Sequence, residues 1–129
     1  MSETQHASSF RDLDVYQKIR QSSRDVFRIT KSFPREEMYS LTDQIRRSSR
    51  SIGAQIAGAW AKRRYEKHFI SKLTDADGEQ LETQHWVGVA ADCEYLSIED
   101  GQKLIDELGR IGRMLNGMIT KASQFCGSS

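Results

Sequence analysis

The stretch Leu41–Ala61, which reads LTDQIRRSSRSIGAQIAGAWA, decides how this chain folds. At about 100° per residue, Leu41, Ile45, Ile52, Ile56 and Ala59 fall on one line that starts a turn earlier with Met38. Ser48, Ser49 and Trp60 lie beside it. That is the apolar stripe of a helix with a buried side. The opposite side begins with Arg47 and Arg50 and then thins to Ala54, Ala57, Gly58 and Ala61. A helix facing only water normally fills such positions with long polar residues, whereas small ones let a second helix come close. The expectation is a helix packed on two sides, in a bundle that assembles with copies of itself.

Helical patterns continue outward on both sides. Upstream, Val15, Ile19, Ser22, Val26, Ile29 and Phe33 are spaced four and three apart, with Tyr16 and Phe27 flanking. This predicts a helix from about Leu13 to Lys31, stopped before Pro34 because proline disfavours helical backbone in the residue before it. Glu36 and Glu37 suit the first turn of the next helix and Lys62, Arg63 and Arg64 its last, as the helix dipole favours. That helix is expected over Glu37 to Arg63. A third is expected from Glu66 to Tyr95, with Phe69, Leu73, Ala76, Gln80, Gln84, Val87 and Ala91 inward. Asp77, Gln80 and Gln84 put polar groups on or beside that stripe, where they need partners. Trp86, Val89, Ala90 and Cys93 make its later half apolar nearly all round, which again implies a second packing partner. A fourth follows Ser97, a plausible N-cap, with Leu104, Leu108, Ile111, Leu115, Met118 and Ala122 inward. Short connections between long helices favour antiparallel neighbours. The fold class is therefore an all-α, antiparallel up-down-up-down four-helix bundle over residues 11–123. Residues 1–10 are expected to be a disordered lead-in and 124–129 a frayed tail.

Composition excludes several classes. With 19 Lys+Arg against 18 Asp+Glu, the net charge of +1 gives no global pull toward nucleic acid or membrane. The single proline, Pro34, fits long uninterrupted helices. Two cysteines, Cys93 and Cys126, make no disulfide framework and no Cys/His zinc spacing. Met1 to Ser9 is polar and lacks a signal core, and no apolar run approaches the roughly 20 residues of a membrane span. The expected location is cytoplasmic, with reduced thiols and no membrane partner.

The segment Phe33-Pro34-Arg35-Glu36-Glu37-Met38-Tyr39-Ser40-Leu41, followed by Gln44-Ile45-Arg46-Arg47-Ser48-Ser49-Arg50-Ser51-Ile52, resembles the four-helix bundle family of intervening sequences in bacterial 23S ribosomal RNA genes. Gln55-Ile56-Ala57-Gly58-Ala59 stands where that family has N-I-A-E-G, and Gln80-Leu81-Glu82-Thr83-Gln84 where it has E-L-E-x-Q. Phe10-Arg11-Asp12-Leu13-Asp14-Val15-Tyr16-Gln17-Lys18 also fits, so the likeness covers roughly residues 10–120. The resemblance implies an antiparallel four-helix bundle and, as in characterised relatives, a ring-like homopentamer. It also implies kinship with the accessory protein of diversity-generating retroelements, whose basic surface works with nucleic acid and a reverse transcriptase. Two family glutamates fall at Gly58 and Gln80 here, and the family's Gly-Ser pair at Ala76-Asp77. Any polar network those acids form in relatives is rewired in this chain.

Candidate chemistry is sparse. His6, His68 and His85 have no metal-ligand spacing, and His68 and His85 lie about 25 Å apart along one helix. Glu82-x-x-His85 matches half of a di-iron motif, but no second Glu-x-x-His exists. Gly109, Gly112 and Gly117 lie within a helical pattern and form no phosphate loop. No serine nucleophile is positioned, and Cys93 reads as a packing residue. The chain reads as a non-enzyme without catalytic residues, metal or cofactor.

The basic positions are the remaining signal. Arg46, Arg47 and Arg50 occupy adjacent turns of the second helix, and Lys62, Arg63, Arg64 and Lys67 cluster at its junction with the third. Repeated by symmetry in a homo-oligomer, they would form a belt that attracts phosphates. The competing reading pairs these arginines with Asp43, Glu36, Glu66 or a neighbouring subunit's acids. No aromatic platform is evident, which argues against sequence-specific reading of single strands. The expected oligomer interface comprises Ala54, Ala57, Gly58, Ala61, Trp86, Val89 and Cys93. The functional expectation is an oligomeric scaffold that contacts nucleic acid, or a nucleic-acid enzyme, nonspecifically through these arginines. The alternative is a protein-interaction module whose small-residue and Trp86 faces hold a different protein.

Overall fold

The computed structural model describes residues 7–127. Four long helices carry the fold: α1 (Asp14–Thr30), α2 (Leu41–Ala61), α3 (Glu66–Asp92) and α4 (Ile98–Thr120). A short α5 (Ala122–Phe125) follows, 3-10 turns cover Phe10–Asp12 and Arg35–Glu37, and no strand occurs among the described residues. Helices α2 and α3 form the most extensive contact, α3 packs on α4, and α1 closes against α2 and more lightly against α4.

Cross-helix contacts fix the directions. Ser23 of α1 donates to the Ser49 carbonyl and Arg46 to the Thr30 hydroxyl, so residue numbers rise along α1 as they fall along α2. Ser48 meets Thr83 while Gly58 lies beside Lys72, which makes α2 and α3 antiparallel as well. Gly101 lies beside Val87 and Ala91, and Gly112 beside Gln80 and Asp77, so α4 runs back along α3.

The core follows from periodicity. Fully buried Ile19, Ile45, Ile52, Ile56, Phe69, Leu73, Leu108, Ile111 and Leu115 come from all four helices and fill one cluster. A second, smaller cluster of Phe33, Leu41 and Ala90 lies where α1 ends and α2 begins. On α3 the buried line is Phe69, Leu73, Ala76, Gln80, Thr83, Val87 and Ala90, an unbroken four-three alternation. Thr83 and Ala90 thus replace the expected Gln84 and Ala91, which are half-buried beside them.

Several boundaries differ from expectation. α2 begins at Leu41 rather than Glu37, because Arg35–Glu37 closes a separate 3-10 turn and Ser40 (φ −127°, ψ −100°) leaves helical geometry. Met38 is consequently exposed. α3 stops at Asp92 through a Schellman arrangement, in which Tyr95 N–H donates to Ala90 and Glu94 N–H to Ala91. Of the expected lead-in, residues 1–6 lie outside the described residues. The rest is held in place: Ser9 caps the first 3-10 turn, Asp12 accepts from the backbone of Ser8 and Ser9, and Ala7 and Phe10 pack against the core. At the other end Phe125 stacks on Phe69 at 5.9 Å, so the tail expected from residue 124 starts inside a packed turn. Residues 128 and 129 lie outside the described residues.

Candidate nucleic-acid interface

Helix α1 and its C-cap carry Tyr16, Arg20, Arg24, Phe27 and Lys31 at spacings of four, four, three and four, which puts them on one outward face. This face borders the small-residue side of α2. Between them lies an open groove of about 470 Å³ lined by Tyr16, Ile19, Arg20, Ser23, Arg24, Phe27, Arg50, Gly53 and Ala54. The floor is apolar, the rim is arginine, and the lining includes no carboxylate among the described residues. Gly53 and Ala54 make it concave, since longer side chains there would fill the space between the helices. A β-carbon at Gly53 would sit 3.7 Å from both Ile19 and Tyr16.

Phe27 organises the cations at one end of this groove. The Arg46 guanidinium lies 4.7 Å from its ring centre, Lys31 Nζ 4.9 Å and the Arg50 guanidinium 5.5 Å. Arg46 is further fixed by its Nε, which donates to Thr30 Oγ1 at 2.8 Å. Near the other end Arg20 donates to the Tyr16 hydroxyl at 2.9 Å. Contact with a ring face favours a cation without neutralising it, so these side chains keep their charge for an anion. Asp25, engaged by Arg28 at 2.7 Å, lies instead on the side of α1 that faces α4.

The structure divides the seven basic residues singled out in the sequence. Arg46 and Arg50 join α1 at the Phe27 end of the groove. Arg47 faces α3 instead, where it draws down the Glu79 carboxyl. Burial, then a hydrogen bond and repulsion from Glu82, hold that carboxyl above its ordinary range. Lys62, Arg63, Arg64 and Lys67 lie at the far end of α2, about 24 Å from Arg46 at 1.5 Å per residue. There Arg63 folds onto its own helix, with Nε donating to the Trp60 carbonyl at 2.9 Å and the guanidinium 3.5 Å from the Trp60 ring. Lys62, Arg64 and Lys67 are exposed. Among the described residues, neither Asp43, Glu36 nor Glu66 bridges any of these cations. Phe27 and Tyr16 of α1 stand among the arginines of both helices, an arrangement that the sequence of α2 alone does not reveal.

The expected interface residues also separate. Ala54 lies open in the groove, and Ala61 is exposed. Gly58 receives the Lys72 stem of α3, 3.6 Å from where a β-carbon would be, so part of the small-residue row serves packing within the chain. Ala57 is half-buried next to it. Trp86 and Val89 are half-buried against the chain's own core clusters, and Cys93 is exposed at the end of α3. The Trp86 indole N–H is buried without an acceptor among the described residues.

Among the described residues no three His, Cys, Asp or Glu side chains come together to hold a metal ion. His85 packs edge-on against Trp86 at 4.7 Å, His68 lies against Tyr65, and His6 is outside the described residues. Among the described residues no helix is long and apolar enough to cross a membrane.

The family model for the 23S rRNA-intervening sequence protein matches residues 11–117. The chain belongs to this family. A similar solved structure is the 1.70 Å crystal structure of a protein of unknown function from the S23 ribosomal protein family of Bacteroides thetaiotaomicron VPI-5482. It is 26% identical, with a TM-score of 0.73 over 82% of this chain and 95% of that one. No curated protein matches.

Gln80 and Asp77 take part in one polar network. Gln80 Nε2 donates to Asp77 Oδ1 at 2.9 Å, Gln84 Nε2 donates to Gln80 Oε1 at 2.8 Å, and Asn116 of α4 reaches Asp77 Oδ2 at 3.5 Å. The Asp77 carboxylate is thus held by two amides, in a structural ladder along the α3–α4 seam.

Proposed function

We propose that this protein is a non-enzymatic scaffold that binds the nucleic-acid backbone nonspecifically through the α1–α2 groove and assembles as a homo-oligomer. The observation that carries the reading is the groove's rim: Arg20, Arg24 and Arg50 surround an apolar floor with no carboxylate in the lining. With a net charge of only +1 for the whole chain, a local concentration of cations on one face steers a polyanion to that face. Assembly by a closed symmetry would repeat the groove and raise the effective concentration of phosphate contacts. The exposed small residue Ala61, outside the groove, supports close approach of another helix. The half-buried state of Trp86 favours this over the reading in which Trp86 holds a foreign protein.

The experiment is binding of the purified protein to labelled nucleic acid across a salt series, with native mass measured in parallel. Each phosphate contact contributes a slope of about −0.9 in log affinity against log salt for duplex DNA. Arg24→Gln with Arg50→Gln should therefore flatten the slope by about two while leaving helix content intact. Lack of binding at low salt would discard the nucleic-acid part. An unchanged mass in Ala57→Arg would remove the small-residue row as the assembly surface.

A further inference from the structure

We infer that the α1–α2 groove selects single-stranded over duplex nucleic acid, by taking an unstacked base onto its apolar floor while the arginines hold the flanking phosphates. This rests on the backbone-binding reading above and adds the ligand class. A duplex offers phosphates but keeps its base faces stacked inside, so it would satisfy the rim and leave the floor uncovered. A single strand offers both, and proteins that bind single strands combine a basic track with side chains on which bases stack. The floor has what such a ligand requires. Tyr16, Ile19, Phe27, Gly53 and Ala54 enclose an open, mostly apolar space of about 470 Å³, roomy enough for a nucleobase. Phe27 is 38% exposed, and the Arg46 and Arg50 guanidinium groups lie 4.7 and 5.5 Å from its ring centre. Guanidinium planes are themselves surfaces on which unpaired bases stack. The bases are not read by identity in this arrangement, because a ring face offers every base the same contact.

The test compares three labelled ligands of equal length on the full-length protein at one moderate salt concentration: a mixed-sequence RNA strand, that strand annealed to its complement, and an abasic strand with the same phosphates. The natural strand should bind about fivefold or more tighter than the other two, as one stacked base contributes. Two variants isolate the floor without touching charge. Phe27→Leu keeps apolar volume and removes the ring, and Ala54→Leu fills the groove from an exposed helical position. Both should bring binding of the natural strand down to that of the abasic strand measured on the same variant, with circular dichroism confirming the fold. If the abasic strand or the duplex binds as tightly as the natural strand, selection of single strands is overturned and backbone binding stands. If none of the three binds, and none does when the salt is lowered, both readings fall.

Discussion

The hydroxyls of Ser48 on α2 and Thr83 on α3 lie 2.8 Å apart, both buried, at the centre of the most extensive helix contact in the bundle. Thr83 also reaches the Glu79 carbonyl of its own helix at 2.8 Å. It has one proton for two acceptors. Giving that proton to the carbonyl lets Ser48 donate in turn, and both groups are then satisfied. Thr83→Val keeps the shape and leaves Ser48 only the Ile45 carbonyl at 3.4 Å. The variant should lose about 1–2 kcal/mol in urea denaturation. Adding Ser48→Ala should recover part of that loss. Strict additivity in the double-mutant cycle would mean that the two hydroxyls are not coupled.

Gly112 of α4 makes room for the Gln80 amide. A β-carbon there would stand 2.6 Å from Gln80 Nε2 and 3.1 Å from Asp77 Oδ1. Gln80 is 3% exposed and bonded at both ends of its amide, so it cannot swing aside. Gly112→Ala should destabilise by about 1–3 kcal/mol as an overpacked site, despite the better helix propensity of alanine. Gly117, in the same helix with nothing within 4 Å, should respond oppositely and gain about 0.5–1 kcal/mol as alanine. Thermal melts of the two variants that shift in the same direction would contradict this account.

Glu94 ends α3 with φ of 61°, in the left-handed region where glycine is the usual residue of a Schellman turn. Glu94→Gly should therefore stabilise the protein by up to about 1 kcal/mol. A lower melting temperature would show that the Glu94 side chain contributes a contact worth more than the backbone cost.

Tyr95, in the α3–α4 turn, donates its phenol proton at 2.8 Å to Glu37 Oε2 in the 3-10 turn between α1 and α2. That bond, then burial and the Glu37 charge, push the phenol up to about 12 from an ordinary value of 10.0. Glu37 is held below its ordinary range, first by the Ser40 hydroxyl and second by Tyr95. For a phenol raised in the fold, the stabilisation is complete below pH 10 and lost as pH rises toward 12. For the lowered carboxyl, it is present above pH 4.5 and lost below. The difference in tyrosinate absorbance between the natural protein and Tyr95→Phe should have its midpoint near pH 12. A midpoint near 10 would show that the bond is not kept in solution.

The helices were legible because each carries an unbroken four-three line of apolar residues, and the four-helix pattern follows from their lengths and short connections. The start of α2 was not, because Glu36 and Glu37 are good first-turn residues for a helix and equally good in the 3-10 turn they form. The choice between Thr83 and Gln84 was hidden for a similar reason, since both are polar and only the partner at Ser48 decides between them. Arg46 and Arg50 were visible on one helix. The groove they border arises from pairing α2 with the Tyr16–Lys31 face of α1, and no spacing within either helix alone reveals a space between two.

The amide ladder on the α3–α4 seam bears on alignment as well as stability. A one-turn slide of α4, about 5.4 Å, would bring Leu108 or Leu115 to where Gly112 receives Gln80, leaving the amide crowded by an apolar side chain and short of partners. Purely apolar seams tolerate such slips, because leucine packs against leucine in several positions. Here a single glycine opposite a single glutamine works like a key in a slot, so the ladder sets which residues of the two longest helices face each other.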